Sequence, residues 1–385
     1  MSIYLDYNAS APIKSEVLQR MISVYKDFPG NADSRTHDYG TNTRAIVEDS
    51  RKEVASILGV LPEEVFFTSG ATESNNIVLQ GLEEYAKANQ KLHIVTTSIE
   101  HKAILETAKQ LERRGYSVTY INPDSDGAIN FKDVIKAVRD DTLLVSVMHV
   151  NNETGIIQPV KEIADYLQNK DVYFHIDATQ SFGKLVPELQ QLQYDMLSMS
   201  AHKIGGPQGV GALVLRKRNY KYPPVKPIMF GGQQERGLRP GTIPVALVAG
   251  LGEACRIAKE RYVENHKKIL EIKDTIIDLL QTSGIPYMVN GNINNSVNST
   301  LNICFPGVSS EALMLSTKQY CGISNGSACN TLSYKPSYVL TAMGLSTERI
   351  ESSVRISWGP ESDVSQIRDE FLQLLEIAKL LMPSV

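Results

Sequence analysis

DTLLVSVMHV (Asp141–Val150), DVYFHID (Asp171–Asp177) and YDMLSMSAHKIGGPQGVGALVLR (Tyr194–Arg216) are the runs that decide the fold. The first reads as a buried strand, the second as a strand, and the third as two strands, YDMLSMS and VGALVLR, joined by a Gly/Pro-rich turn. VKEIADYLQN, between the first two, reads as a helix. Upstream the same rhythm continues. EVFFTS (Glu64–Ser69), KLHIVTTS (Lys91–Ser98) and YSVTYIN (Tyr116–Asn122) are strand-like, separated by predicted helices from Thr72 to Lys87 and from His101 to Arg113. Strand and helix in alternation predict an α/β fold with a mostly parallel sheet covered by helices on both faces. Such sheets bind ligands just beyond the carboxyl ends of their strands, so the polar residues there are the ones to question.

Downstream of Gly241 the rhythm changes. A long helical stretch is predicted from Pro244 towards Leu280, followed by the short strands STLNICF (Ser299–Phe305) and SVRISWG (Ser353–Gly359). Helices are expected near Ser310–Lys318 and Asp363–Leu381. This part reads as a second, smaller α+β domain with the long helix as connector. The 385 residues agree, since roughly 150 per domain suggests two or three.

Hydrophobic residues at 42% and charged residues at 21% exclude a disordered tail, a collagen-like fibre and a coiled-coil rod. A net charge of −4 gives no standing surface for nucleic acid or an anionic membrane. MSIYLDYNAS lacks the basic and apolar regions of a signal peptide, and no apolar run approaches transmembrane length. The four cysteines form no C-x-x-C pair and are too few for a disulfide framework, so a reducing, cytoplasmic setting is expected.

The chemistry-bearing residues fall at predicted strand ends. SGATESNN (Ser69–Asn76) follows a strand and opens a helix. A glycine turn before exposed backbone N–H groups suits an anion, although Thr72 and its neighbours also fit an ordinary first turn. Asp177 ends its strand; it could cap a helix, close a turn, bind a metal with His175, or face the ring nitrogen of a pyridine cofactor. Lys203 follows the next strand within a Gly/Pro-rich turn, beside Ser200 and His202, where desolvation would free its amine for Schiff-base formation. His101 opens a helix at the same sheet edge, as a cap or as a ring able to stack on a planar cofactor and move protons. Cys329 sits among Gly, Ser and Asn in SNGSACNTLSYKPS (Ser324–Ser337), either a tolerated surface thiol or an activated nucleophile. Cys304, Cys255 and Cys321 read as structural.

With YLDYNASAP, SGATESNN, TSIEH, HVNNETG, HIDATQ, SAHKIGGPQGVG, RGLRPGT, SNGSAC and VRISWG in one order, the chain resembles the pyridoxal-phosphate cysteine desulfurases of the NifS/IscS-like group almost end to end. The resemblance implies the aspartate-aminotransferase-like fold (fold type I of pyridoxal 5'-phosphate enzymes) and a homodimer. Residues 13–256 would form the large cofactor-binding domain, and residues 1–12 and 257–385 the small domain that carries the cysteine loop. Carried over residue by residue, Lys203 would be the Schiff-base lysine, Asp177 the partner of the pyridine nitrogen, and His101 the stacking acid/base. Gln180 and Asn152 would contact the ring hydroxyl. Ala71, Thr72, Ser200 and His202 would hold the phosphate, joined by Thr242 of a second copy. Arg355, with Asn152, would hold the substrate carboxylate, and Cys329 would accept sulfur.

The implied reaction converts L-cysteine to L-alanine and leaves a persulfide on Cys329 for a sulfur-accepting protein. Asn325 and Pro240 stand where serines are usual, Gln233 stands in a normally glycine-rich run, and Asn330, Thr331 and Leu332 are atypical. With the end at Val385, these features resemble the desulfurases of DNA phosphorothioate modification, with iron–sulfur assembly or tRNA thiolation as the alternative. The other readings are an aminotransferase or a selenocysteine lyase of the same fold, and a non-catalytic scaffold. Neither direct nucleic-acid binding nor a membrane role is expected.

Overall fold

A computed structural model describes residues 2–325 and 336–383. Its strands, in chain order, are β1 (Ile3–Tyr4), β2 (Val65–Thr68), β3 (His93–Thr97), β4 (Ser117–Ile121), β5 (Thr142–Met148), β6 (Tyr173–Asp177), β7 (Met196–Ser200), β8 (Gly211–Leu215), β9 (Met288–Val289), β10 (Thr300–Cys304), β11 (Cys321–Gly322) and β12 (Ser353–Ser357). Seven form one sheet in the order β2-β8-β7-β6-β5-β3-β4. Within it β7, β6, β5, β3 and β4 run parallel, while β8 runs antiparallel to both of its neighbours. The segment 201–210 between β7 and β8 is too short for a crossover helix, so the chain must turn back on itself.

Successive residues of the central strands enter different cores. Phe67, Val145, Leu197 and Val214 pack on one face with Val54, Phe174 and Leu251, whereas Phe66, Leu144, Met196 and Leu213 pack on the other with Ile77, Ile94 and Ile104. Both faces are therefore covered, which accounts for the nearly unbroken apolar runs of the sequence. A third core joins Leu5, from the N-terminal segment, to Ile272, Ile276, Ile303, Ile356, Trp358, Ile367 and Phe371. It is built on the antiparallel sheet β12-β10-β9 and the parallel pair β1-β11.

Two predicted helices are each divided. The stretch 72–87 splits into Ala71–Gly81 and Glu83–Ala88, because the Gly81 carbonyl accepts from the Lys226 N–H (2.8 Å) and a side chain at Gly81 would strike the Lys226 carbonyl. The stretch 244–280 splits at Arg261 into Val245–Glu260 and Tyr262–Thr282. Leu251 and Ile257 of the first helix belong to the core of the large sheet, and Ile272 and Ile276 of the second to the core of the smaller sheets. One straight helix does not serve both. Helices Ser15–Asp27 and Asp38–Leu58 had no counterpart in the sequence reading.

Candidate active site

Asp177 is the last residue of β6 and 4% exposed. Its Oδ2 accepts from Asn75 Nδ2 (2.7 Å) and its Oδ1 from the Thr179 N–H (3.0 Å) and the Thr179 hydroxyl. These donors are all neutral, and no ion pair reaches this carboxylate among the described residues. One β-strand away, β7 ends at Ser200 and runs into a single 3-10 turn, Ala201–Lys203. Lys203 Nζ donates to the main-chain carbonyls of Asn8 (2.6 Å) and Ala9 (2.9 Å).

The Ala71 N–H donates to Ser200 Oγ (2.8 Å), which ties the first turn of helix Ala71–Gly81 to the end of β7. Gly70 makes that approach possible: its φ of 149° is strained for a side chain, and an added Cβ would lie 3.2 Å from Ser200 Oγ. His202 Nδ1 lies 3.3 Å from Ser10 Oγ, and burial, assisted by the Lys203 charge, lowers its ring to about 4.

His101 is the N-cap of helix Lys102–Arg113, its Nδ1 accepting from the Ala103 N–H (3.2 Å). Burial lowers its basicity while the Asp177 charge opposes, so the ring is neutral at neutral pH with its proton on Nε2. Gln180 Nε2 donates to the Asn8 carbonyl (3.0 Å), the same oxygen that accepts from Lys203. Asn152 accepts at its carbonyl from Asn8 Nδ2 (3.1 Å) and Arg355 Nη1 (3.0 Å), while its own side-chain Oδ1 is buried without a hydrogen-bond partner.

Arg355, at the centre of β12, pairs through Nη2 with Asp6, and its Nε is buried without a partner. Its main chain exchanges both hydrogen bonds with Ser324. Cys329 lies outside the described residues. The chain on either side of residues 326–335 lies against the site. Ser337 Oγ donates to the Glu153 carboxylate and caps helix Tyr338–Ala342, and the Tyr338 hydroxyl donates to the Glu100 carbonyl (2.8 Å). Desolvation raises the carboxyls of Glu153 to about 7 and Glu100 to about 8.

A cavity of about 1250 Å³ brings Ala71, Thr72, His101, Asn152, Asp177, Gln180, Ser200, His202, Lys203 and Arg355 together. Thr242 is exposed and is not part of its lining within one chain. His175 is turned away, held between Ser146 (2.8 Å) and Ser198 (3.0 Å) in the sheet, and no group of three or more metal-binding side chains occurs among the described residues. Cys255, Cys304 and Cys321 are buried, and burial pushes the Cys321 thiol up to about 12, as structural cysteines require. Sequence reading passed over Asp6, Asn8, Asn75 and Glu153. All four lie within motifs it quoted, YLDYNASAP, SGATESNN and HVNNETG, but their contacts cross from one motif to another.

These residues suit pyridoxal phosphate. A buried carboxylate with only neutral donors fits a protonated ring nitrogen. The orphaned Asn152 Oδ1 awaits a donor. A helix N-terminus beside Ser200 and His202 fits a phosphate, and an amine in the adjoining turn fits an aldehyde.

The Aminotransferase class-V model matches residues 3–369. The cysteine desulfurase IscS of Vibrio cholerae serotype O1 (strain M66-2) is 40% identical over 386 aligned positions, covering 98% of this chain and 93% of the relative. Among solved structures, a NifS-like protein superposes with a TM-score of 0.90 at 35% identity, covering 99% of this chain and 100% of the other. SspA in complex with cysteine superposes with a TM-score of 0.82 at 35% identity, covering 94% of this chain and 100% of the other. The expected fold and cofactor class hold, and the chain belongs to the aminotransferase class-V family of pyridoxal-phosphate enzymes, on its cysteine desulfurase branch.

Proposed function

We propose that this protein takes sulfur from L-cysteine, releases L-alanine and passes the sulfur, as a persulfide on Cys329, to an acceptor protein. The observation that carries this reading is the convergence of Asp177, His101, Lys203 and Arg355 on one cavity. The cofactor, when bound, supplies an electrophilic carbonyl and a ring that delocalises charge left at a substrate carbon. Asp177 would hold the ring nitrogen protonated, and His101 would stack on the ring and relay protons through its Nε2. Ala71, Thr72, Ser200 and His202 would bind the phosphate, and Asn152 and Gln180 would orient the ring hydroxyl. Arg355 and Asn152 bind the substrate carboxylate, which takes up hydrogen-bonding capacity that Arg355 Nε leaves unused.

Lys203, which donates to the Asn8 and Ala9 carbonyls, would hold the cofactor, and once displaced by the substrate's own amine its freed amine would take the proton from the substrate α-carbon. The Cys329 thiol gives up its proton and the thiolate attacks the substrate sulfur, so an S–S bond forms as the C–S bond breaks; the electron pair is left on the substrate carbon, and the proton given up by the thiol, with the one held by Lys203, completes alanine. Asp6 and Glu153 act behind this set. One fixes the Arg355 guanidinium, and the other fixes Ser337 beyond the cysteine segment.

On this reading residues 13–256 form the cofactor domain, and residues 1–12 with 257–385 form the smaller one. The separate core containing Leu5 and Phe371 supports a division, with the boundary nearer Arg261, because Ile257 still packs in the core of the large sheet. A homodimer is supported by the exposed apolar side chains Leu18, Ile22, Tyr25, Tyr39, Met229 and Phe230, and by Thr242, which a second copy would bring to the phosphate. We place the protein in the cytoplasm. Asn325 and Pro240 favour an acceptor in DNA phosphorothioation, reached through partner proteins. Capture of persulfide acceptors from native cells tests this, and recovery of iron–sulfur or tRNA-thiolation components would replace it.

The activity is tested by Cys329→Ala. The variant should retain cofactor absorbance and lose sulfide release from cysteine. Sulfide release at the parent rate would remove Cys329 from the reaction.

A further inference from the structure

Lys203 borders two cavities. Behind the site, between residues 183–184, the turn at Ile204 and helix Tyr262–Thr282, lies a second one of about 70 Å³. Its charged lining is Lys14, Lys184, Lys203 and Glu361. Lys14 is paired with Glu361. Lys184 has no acidic partner among the described residues: its ammonium has one long hydrogen bond, 3.3 Å to Gln180 Oε1, and the charges that act on it, Lys203 and Arg355, are both positive. Burial first, and then those two cations, bring its basicity down to about 7. Ser299 lines the same cavity at 3% exposure, and its hydroxyl is buried with no hydrogen-bond partner. Amines exceed carboxylates three to one around this space, and a buried donor stands idle beside them.

We propose that this rear cavity binds a small monovalent anion of the halide or formate class, held by Lys184 and Ser299. The volume exceeds the ~15 Å³ a single water needs and leaves room for an ion with little hydration. Trp358 supplies an apolar wall, which suits a single charge better than a double one because the desolvation cost is smaller. Access runs past the exposed His266 and the half-exposed Glu361. The anion offsets the surplus positive charge behind Lys203 and keeps Lys184 an ammonium. The inference depends on neither Cys329 nor the desulfurase reading.

Trp358 is the only tryptophan in the chain and is 1% exposed, so its fluorescence reports on this cavity without activity. The holoenzyme is titrated with sodium iodide at constant ionic strength. The expected result is quenching that saturates, is reversed by chloride, and needs roughly tenfold more iodide for half-effect in Lys184→Met, because a charge-assisted bond is lost. Ser299→Ala provides the same comparison should the lysine variant fold poorly. No quenching, quenching that rises linearly without a plateau, or an unchanged half-effect in the folded variants overturns the proposal.

Discussion

Arg355 is already held by Asp6, and with its proposed role at the substrate carboxylate this fixes what its replacement should do. A lysine there keeps the charge but loses the planar fork that can serve Asp6, the Asn152 carbonyl and an incoming carboxylate together. Arg355→Lys should raise KM for cysteine by roughly tenfold or more, about 1.4 kcal/mol, with a smaller change in kcat. Equal losses in both would mean that Arg355 acts elsewhere. Asp177 gives a second test at this scale. Asp177→Asn keeps the shape that Asn75 and Thr179 surround but removes the charge that answers a protonated ring nitrogen. The variant should fold and should lose pyridoxal phosphate on gel filtration, read from the visible absorbance of the eluted protein. Retention equal to the parent's would refute the pairing.

Between elements, close approach governs. β8 passes so near the site that a Cβ at Gly211 would lie 2.4 Å from the Met199 carbonyl and 2.7 Å from Gly70 Cα. Backbone on both sides leaves nowhere to relax, so Gly211→Ala should cost roughly 1–3 kcal/mol and lower the melting temperature. A melting curve that superposes on the parent's would show that β8 has more room than this. Ser337 joins a helix cap to a buried carboxyl beside the cavity. Ser337→Ala removes both bonds at once. Denaturant unfolding should register a loss of about 1–2 kcal/mol, and a value near zero would show that neither bond contributes.

At the scale of the whole molecule, pH separates two sets of buried groups. Burial holds His93, His149, His175 and His202 at about 4, against an ordinary value near 6.5. Between those limits the unfolded chain binds the extra protons, so each histidine withdraws stability as pH falls from about 6.5 towards 4. Glu100 and Glu153, raised to about 8 and about 7, act oppositely, because the native state holds protons that the unfolded chain releases above about 4.5. Four sites oppose two, so the melting temperature should drop between about pH 6.5 and pH 5, and His149→Gln should make that slope shallower. A flat profile over the same interval would contradict the sign.

The parallel strands and the family motifs were legible because each is local. Apolar runs mark strands covered on both faces, and Asp177, Ser200 and Lys203 follow strand ends directly along the chain. The division of helix 244–280 was not legible, since its cause is two cores competing for one helix, and neither core is a local property. The same holds for Asn75 on Asp177, Asn8 on Lys203 and Asp6 on Arg355: each partner was in view within a quoted motif, yet the pairing spans distant segments. By itself, then, the sequence determined the fold class and the chemistry-bearing residue types, because spacing and order encode those, while the cofactor came from the family resemblance that the ordered motifs carry. Tertiary structure alone decided which neutral donors surround Asp177, which carboxylate holds Arg355, and that Lys203 has a second cavity behind it. Those depend on side chains from remote segments packing against one another, and no periodicity along the chain records that.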